Sequence, residues 1–258
     1  TGEFISAAYK LQVVHPPGAP FFLMLNRLTS LLAPSADWVA YFVNATSALA
    51  SAFAVLFLFW TITRLASKIF KRTGETKNQN NLIVILGSGV IGSLAFTFSD
   101  TFWFSALEGE VYALSTFFMA LVFWLMLKWE SRANQKGHLK YLVLIAYLIG
   151  LSLGVHLLSL LVIPALAFIY YFHNYKPTLL GIITTGIAGL GIVGLIYVGL
   201  IRWFPSLAAT IELWFVNDLG YPFWSGIFFT LFLVFGAVVT GIYFARKQGH
   251  AMISTVLT

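Results

Sequence analysis

Three short strings lying between long apolar stretches carry the residues able to do chemistry. The first is Gly2-Glu3-Phe4 running on to His15-Pro16-Pro17-Gly18. The second is Ser99-Asp100 followed by Glu108-Gly109-Glu110-Val111-Tyr112, and the third is Gly154-Val155-His156. Asp100, Glu108 and Glu110 crowd one short loop among the aromatic residues Phe102, Trp103 and Phe104. Like charges this close repel unless a cation or a bound ligand compensates them. That loop therefore reads as a divalent-metal or general-base site, as a carboxylate-and-aromatic grip on a hydroxyl-rich ligand, or as a solvated loop in an interfacial aromatic belt. Glu110 opens the next helix, where the helix dipole also favours an acid. Pro16 and Pro17 forbid a regular helix and present His15 from a surface loop. Glu3 is then a catalytic or acceptor-binding carboxylate and His15 a donor or phosphate contact, or both belong to an ordinary interfacial loop. His156, in a tight turn, either caps a helix or contacts a phosphate.

The elements that hold these strings are membrane helices. Of 258 residues, 59% are hydrophobic and 9% charged, against about a quarter charged in a soluble domain, and mean hydropathy is +0.87. Only helices and closed barrels satisfy the backbone in lipid. The long continuous apolar runs exclude the short alternating segments of a barrel. The expected fold is all-α, a polytopic transmembrane bundle with one short re-entrant or interfacial helix and loops at the outer face. With no cysteine, disulfides and thiolate metal sites are excluded. The net charge of +6 is a topology signal rather than a nucleic-acid signal.

Spans of roughly 20 apolar residues are read at about 38–63, 82–98, 110–128, 178–201 and 223–245. Residues 21–33, bracketed by Pro20 and Pro34, are too short and read as the interfacial helix. Residues 141–172 are one long span or two short helices broken at Gly154-Val155-His156. The positive-inside rule favours two, which gives about seven spans over residues 38–245 behind a first outer loop of about 1–37. The whole is expected to be a single transmembrane domain. Lys10, Arg27 and Arg202 are then the only basic residues outside. The acids go the other way: Glu3, Asp37, Asp100, Glu108, Glu110, Glu212 and Asp218 lie outside, Glu75 and Glu130 inside. Acids contribute little to insertion, so their asymmetry needs another cause. Arg202, at the end of the 178–201 span beside Trp203 and Pro205, is either a phosphate ligand or an interfacial arginine reaching for water. Lys10 is a further candidate substrate contact. His138, His173 and His250 fall on cytoplasmic loops with no visible chemistry. The sequon Asn44-Ala45-Thr46 lies too close to a span to be used. Thr1-Gly2-Glu3-Phe4 reads as mid-sequence, and Ala251 to Thr258 stop without a recognisable terminus, so a longer protein is expected.

The segments Thr1-Gly2-Glu3-Phe4-Ile5, Ala8-Tyr9-Lys10-Leu11-Gln12 and His15-Pro16-Pro17-Gly18-Ala19-Pro20 resemble the start of a family of bacterial and animal membrane proteins. Its animal members are similar to protein O-mannosyltransferases acting on plexin-type receptor domains. The resemblance continues through Glu108-Gly109-Glu110-Val111-Tyr112-Ala113 and Gly154-Val155-His156-Leu157-Leu158 and covers most of residues 1–170. The family looks like a GT-C glycosyltransferase, a multi-span enzyme using a polyprenyl-phosphate sugar on the extracytoplasmic side. Its pattern reads Asp, then Ser or Thr, then Gly-Glu. Thr1-Gly2-Glu3 matches the last three positions, which makes Glu3 the base or the base's partner. The resemblance also implies a spanning helix before that motif.

The resulting expectation is a membrane glycosyltransferase that moves a mannose-like hexose from polyprenyl phosphate to a hydroxyl of an exported protein. Localisation would be a bacterial inner membrane, with the active site outside. Glu3, Glu110 and Asp100 are the candidate catalytic carboxylates. His15, His156, Arg202, Lys10 and Glu108 are candidate substrate or phosphate contacts, and Trp103, Phe104 and Tyr112 candidate linings of the sugar or lipid path. A divalent metal is possible, other cofactors are not called for, and the partners are membrane lipid, the donor and an acceptor protein, with no nucleic acid. The alternatives are a lipid or polysaccharide transporter of flippase type and a non-catalytic membrane scaffold. Ionisable groups at mid-membrane depth would mark a transporter, and the spans read from the sequence carry none.

Overall fold

A computed structural model describes residues 1–16, 18–72 and 79–247; Pro17, Glu75, Lys77 and His250 lie outside the described residues. All regular structure among them is helical: α1 (Gly2–Lys10), α2 (Pro20–Ser30), α3 (Val39–Arg72), α4 (Gln79–Thr97), α5 (Asp100–Leu107), α6 (Val111–Glu130), α7 (Leu139–Leu153), α8 (Val162–Asn174), α9 (Leu179–Leu195), α10 (Phe204–Leu213) and α11 (Ser225–Lys247). Among the described residues six helical stretches are long and apolar enough to cross a membrane: Ala36–Lys71, Gln79–Thr97, Val111–Glu130, Leu157–Asn174, Leu179–Asp218 and Ser225–Phe244. Leu139–Leu153 is a shorter apolar helix. The chain is an integral membrane helical bundle, divided into two compact units: Thr1–Arg132 with Tyr141–Val162, and Ala133–Lys140 with Ile163–Thr258.

In the first unit α3 is the mast. Its 34 residues rise about 51 Å at 1.5 Å per residue, well beyond the hydrocarbon thickness of about 30 Å. Helices α4, α5 and α6 pack along it, and α1 and α2 pack on each other and on α3. Gly89 of α4 lets that helix close on α3: a Cβ there would lie 2.5 Å from Thr63 Cγ2 and 2.8 Å from the Phe59 ring. Small residues of this kind replace the missing hydrophobic driving force between helices in lipid.

The end that carries the three strings is tied together by one apolar cluster drawn from all of them. Phe4, Ala7 and Ala8 of α1 meet Val14, Ala19, Phe22 and Leu23, then Val111 and Leu114 of α6, and Val155. The i, i+3, i+4 spacing of Phe4, Ala7 and Ala8 puts them on one face of α1. Helix α1 stops at Leu11, whose left-handed backbone (φ 51°) turns the chain back; Gln12 N–H donates to Ala7 C=O at 2.8 Å. This reversal returns Val14 and His15 to the start of the helix. A non-glycine residue held left-handed costs about 1–2 kcal/mol, offset here by the burial of Val14 and Phe4.

Helix α2 begins on Pro20, whose missing N–H costs nothing in the first turn. Two of its free N–H groups, those of Phe21 and Phe22, donate to Gly154 C=O at 2.8 and 3.2 Å. Gly154 has no room for a side chain, since a Cβ would sit 2.8 Å from Phe21 Cβ. The break expected at Gly154-Val155-His156 is present, with α7 before it and the Leu157–Asn174 helical stretch after it. A short helix, α2 (Pro20–Ser30), occupies most of the segment 21–33.

In the second unit, the span read as 178–201 does not end at Arg202. A continuous helical stretch runs from Leu179 to Asp218, so Arg202 and Glu212 are helix residues rather than loop residues. The reason is local. Pro205 cannot donate to the preceding turn, and a π-helical segment over Ile196–Trp203 widens the helix just before it instead of breaking it. Glu212 has a structural role, since its carboxylate accepts N–H bonds from Trp224 at 2.5 Å and Ile227 at 3.0 Å. It thereby caps the start of α11 and fixes Trp224 in its left-handed conformation (φ 76°). One of the acids expected outside thus has a capping role.

Candidate active site

Glu3 stands in the first turn of α1, and the reversal after Leu11 brings His15 back onto it. Both carboxylate oxygens are used: Oε1 accepts the His15 backbone N–H at 2.9 Å and Oε2 lies 2.9 Å from His15 Nδ1. These two bonds, the backbone one first, hold the Glu3 carboxyl below its ordinary value of 4.5. An ionised carboxylate only accepts, so the Nδ1 proton of His15 points at Glu3 and Nε2 is the nitrogen left for a ligand. The His15 ring is also met edge-on by Phe4 at 5.7 Å, and Phe4 in turn meets Phe22 at 5.5 Å. The pair is exposed at its polar edge and anchored by the core beneath.

Glu110 precedes the first residue of α6 but makes no side-chain cap bond. Its carboxylate instead lies against the Thr1 backbone nitrogen and is 16% exposed. The turn that aims it is built on Gly109. Glu110 N–H donates to Glu108 C=O at 2.8 Å, and a Cβ on Gly109 would fall 2.9 Å from Asn44 Oδ1, 2.9 Å from Val43 Cγ1 and 3.1 Å from Ile5 Cγ1. Glycine in Glu108-Gly109-Glu110 therefore seats the loop against α3 and α1 at once.

His156 takes the capping role open to it in the sequence. Its Nδ1 accepts the Leu158 N–H at 3.1 Å, capping the helical turn that follows. Burial lowers its pKa from the ordinary 6.5. A neutral ring with Nδ1 as acceptor carries its proton on Nε2, which leaves one donor. Tyr112 packs beside it with ring centroids 5.3 Å apart.

These groups meet in one cavity of about 160 Å³, with Thr1, Glu3, His15, Glu110, Tyr112 and His156 around apolar walls of Phe4, Val14, Ala19, Val111 and Val155. The arrangement offers two carboxylates and two imidazoles to one small polar ligand, on surfaces that exclude water from one side. Thr1, Phe4, Val14 and Val155 were not singled out in the sequence; each adjoins a residue that was, and the apolar neighbours of a polar motif are the one signal that would have found them.

The other candidates lie elsewhere. Asp100 is exposed in the first turn of α5, where the helix dipole suffices to place it. Glu108, also exposed, ends α5 and accepts a bond from Thr1 Oγ1 at 3.4 Å. Lys10 is exposed in the last turn of α1. Trp103 stacks on Phe98 at 5.8 Å and lines a separate apolar groove of about 380 Å³ between α3, Thr97 and α5, with Ser51, Val55, Phe102 and Leu107. Phe104 is exposed. Arg202 belongs to the second unit, whereas the cavity is built from the first. Among the described residues no three His, Asp or Glu side chains form a metal-ligating group.

Comparison with known proteins places this geometry. Residues 1–179 match the family described as protein O-mannosyl-transferase TMEM260 N-terminal domain, a stretch that contains every residue of the cavity. The chain is 33% identical over 153 residues to protein O-mannosyl-transferase TMEM260 of Mus musculus, covering 59% of this chain and 19% of that protein. It is 27% identical over 175 residues to protein O-mannosyl-transferase tmem260 of Dictyostelium discoideum, covering 63% of this chain and again 19% of the relative. The chain thus spans about a fifth of the length of these relatives. No solved structure matches it.

Proposed function

The chain belongs to the protein O-mannosyl-transferase TMEM260 N-terminal domain family, and from that premise we propose that it carries the catalytic site of a membrane protein O-mannosyltransferase. The donor is a polyprenyl-phosphate mannose and the acceptor a Ser or Thr hydroxyl of an exported protein. The positive-inside pattern supports an extracytoplasmic face for the cavity, and the membrane of this proposal is a bacterial inner membrane. The observation that carries the reading is the convergence of Glu3, His15, Glu110, Tyr112 and His156, from three strings far apart in sequence, on one cavity.

Glu110 is the proton acceptor. It faces the cavity from a mostly shielded position, whereas Glu3 spends both oxygens on His15 and is the weaker base for it. As Glu110 takes the proton, the acceptor oxygen attacks the sugar C1. The bond from C1 to the phosphate oxygen breaks with inversion, and the electron pair leaves with the polyprenyl phosphate. A positioned carboxylate contributes about 10²–10⁴-fold to such a step. The departing phosphate gains negative charge, which preorganised donors stabilise. The Nε2–H of His156 is such a donor, while His15, its Nδ1 proton held by Glu3, turns an Nε2 acceptor toward a ligand hydroxyl. Glu3 is a positioning residue acting through His15. The apolar groove lined by Trp103 accepts the first isoprene units, since α5 leads from it directly into Glu108-Gly109-Glu110.

The test is transfer of radiolabelled sugar from a panel of polyprenyl-phosphate sugars to exported protein, in membranes carrying the full-length protein or its Glu110→Gln variant. Transfer from the mannosyl donor that falls at least 10²-fold in the variant, at equal expression, supports the assignment. Undiminished transfer in Glu110→Gln removes Glu110 as the base. Absence of transfer from every donor by folded protein overturns the enzyme reading.

A further inference from the structure

We propose that the far end of α3 holds a second site, independent of the transferase reading, which binds the phosphate headgroup of an anionic phospholipid in the leaflet opposite the cavity. Thr63, Arg64, Ser67, Lys68 and Lys71 line a cavity of about 200 Å³. Their spacing of one, three, one and three residues places them on a single helix face. Three cations therefore follow one another at four- and three-residue intervals, an arrangement that repels itself along a helix.

The repulsion is only partly relieved. Lys68 forms an ion pair with Glu130 at the end of α6, and among the described residues no ion pair balances Arg64 or Lys71. Arg64 Nε is buried and has no hydrogen-bond partner. An unsatisfied buried donor on a guanidinium is an unusual expense, and an acceptor oxygen entering the cavity is the direct remedy. Phosphate matches because guanidinium binds its oxygens in pairs while lysines act as point charges beside it.

Depth identifies the source of that phosphate. Asn44 lies against Gly109 beside the catalytic cavity, and Arg64 follows 20 residues later on the same helix. At 1.5 Å per residue the separation is about 30 Å, the thickness of the hydrocarbon core. The basic cavity thus sits at headgroup level of the opposite leaflet, which the charge pattern makes the cytoplasmic one, where anionic lipids attract basic groups. A lipid bound there would hold α3 to α6 through the Lys68–Glu130 pair and steady the mast that carries Asn44 and Val43 behind the Glu108–Glu110 turn.

The experiment uses full-length protein purified from mixed vesicles of phosphatidylcholine and phosphatidylglycerol, with retained lipid counted by native mass spectrometry. Phosphatidylglycerol is expected to be retained in preference. Arg64→Gln and the exposed Lys71→Gln should each weaken retention about fivefold. Lys128→Gln, which removes a charge near the same end of α6 but stacked on Trp124 and outside the cavity, should leave it unchanged. Equal retention of the two lipids, or an equal loss in Lys128→Gln, overturns the site. Displacement of phosphatidylglycerol by millimolar inorganic phosphate, with phosphate bound as well in lipid-free detergent, overturns the assignment to a lipid. The transferase assay does not enter, so failure here leaves the catalytic reading standing, and failure of that reading leaves this site standing.

Discussion

Replacing Gly109 with alanine asks whether the turn between the two glutamates really positions the base. The new methyl carbon would lie 2.9 Å from Val43 Cγ1 and 3.1 Å from Ile5 Cγ1. Carbon atoms meet comfortably at about 3.5–4.0 Å, so the shortfall is roughly half an ångström to one ångström on two sides. Val43 cannot yield easily. It is fully buried and β-branched, hence stiff at χ1. The loop must therefore back away from α3 and take the Glu110 carboxylate with it. Overpacking of this kind costs about 1–3 kcal/mol of stability, which a 34-residue mast and its neighbours can absorb. A displacement of about 1 Å at a catalytic group costs about 10²-fold in rate. Gly109→Ala should therefore be made and inserted, melt at a modestly lower temperature, and transfer sugar about 10²-fold more slowly. The matched control is Gly2→Ala, beside the other glutamate, where an added Cβ meets nothing within 4 Å; it should stay within a factor of two of the parent. Wild-type transfer by Gly109→Ala, or an equal loss in Gly2→Ala, would refute the reasoning.

Three further outcomes are expected. Glu3→Gln keeps one acceptor for the His15 backbone but offers a donor to a nitrogen that needs an acceptor, so the imidazole proton should move to Nε2. Nitrogen-15 chemical shifts of His15 read that change, accompanied by about 10–10²-fold slower transfer if Glu3 acts through His15. Acidification should destabilise the cavity end of the first unit in two stages. His156 is held neutral by burial, so the unfolded chain binds more protons as pH falls below about 6.5 and stability declines there; His156→Gln should flatten that limb of a melting-temperature profile. Glu3, with its pKa lowered, adds stability that is complete above its ordinary 4.5 and is lost as pH falls further through the folded value. Glu212→Ala removes the carboxylate acceptors of two backbone N–H groups at the start of α11 and should cost about 1–2 kcal/mol, seen as faster amide exchange at Trp224 and Ile227, with no effect on transfer beyond the stability loss.

Much of the architecture was legible because the relevant physics is one-dimensional. A helix in lipid must be long, apolar and free of charge over about 20 residues, and that condition marks α4, α6 and α11 within a few residues. Prolines at 20 and 34 delimit α2, and Gly154 breaks the helix before His156, for equally local reasons. The Leu179–Asp218 stretch was read too short because Arg202 and Pro205 carry the marks of a span end. A π-helical widening that rescues a proline leaves no separate mark in composition.

The sequence alone determined that this is a helical membrane protein and that Glu3, His15, Glu110, Tyr112 and His156 are worth watching, since polar residues kept at one end of an apolar bundle need a reason. Spacing along the chain does not separate them from Asp100, Glu108, Lys10, Trp103 and Arg202, which are likewise polar or aromatic residues near the ends of apolar stretches. Only the tertiary structure does. The left-handed Leu11 folds His15 onto Glu3, Gly109 and Gly154 allow approaches that any side chain would block, and α1, α2 and α6 close around the groups so gathered. Proximity between residues a hundred positions apart is fixed by packing of side chains in three dimensions, and no pattern of spacing along the chain encodes it.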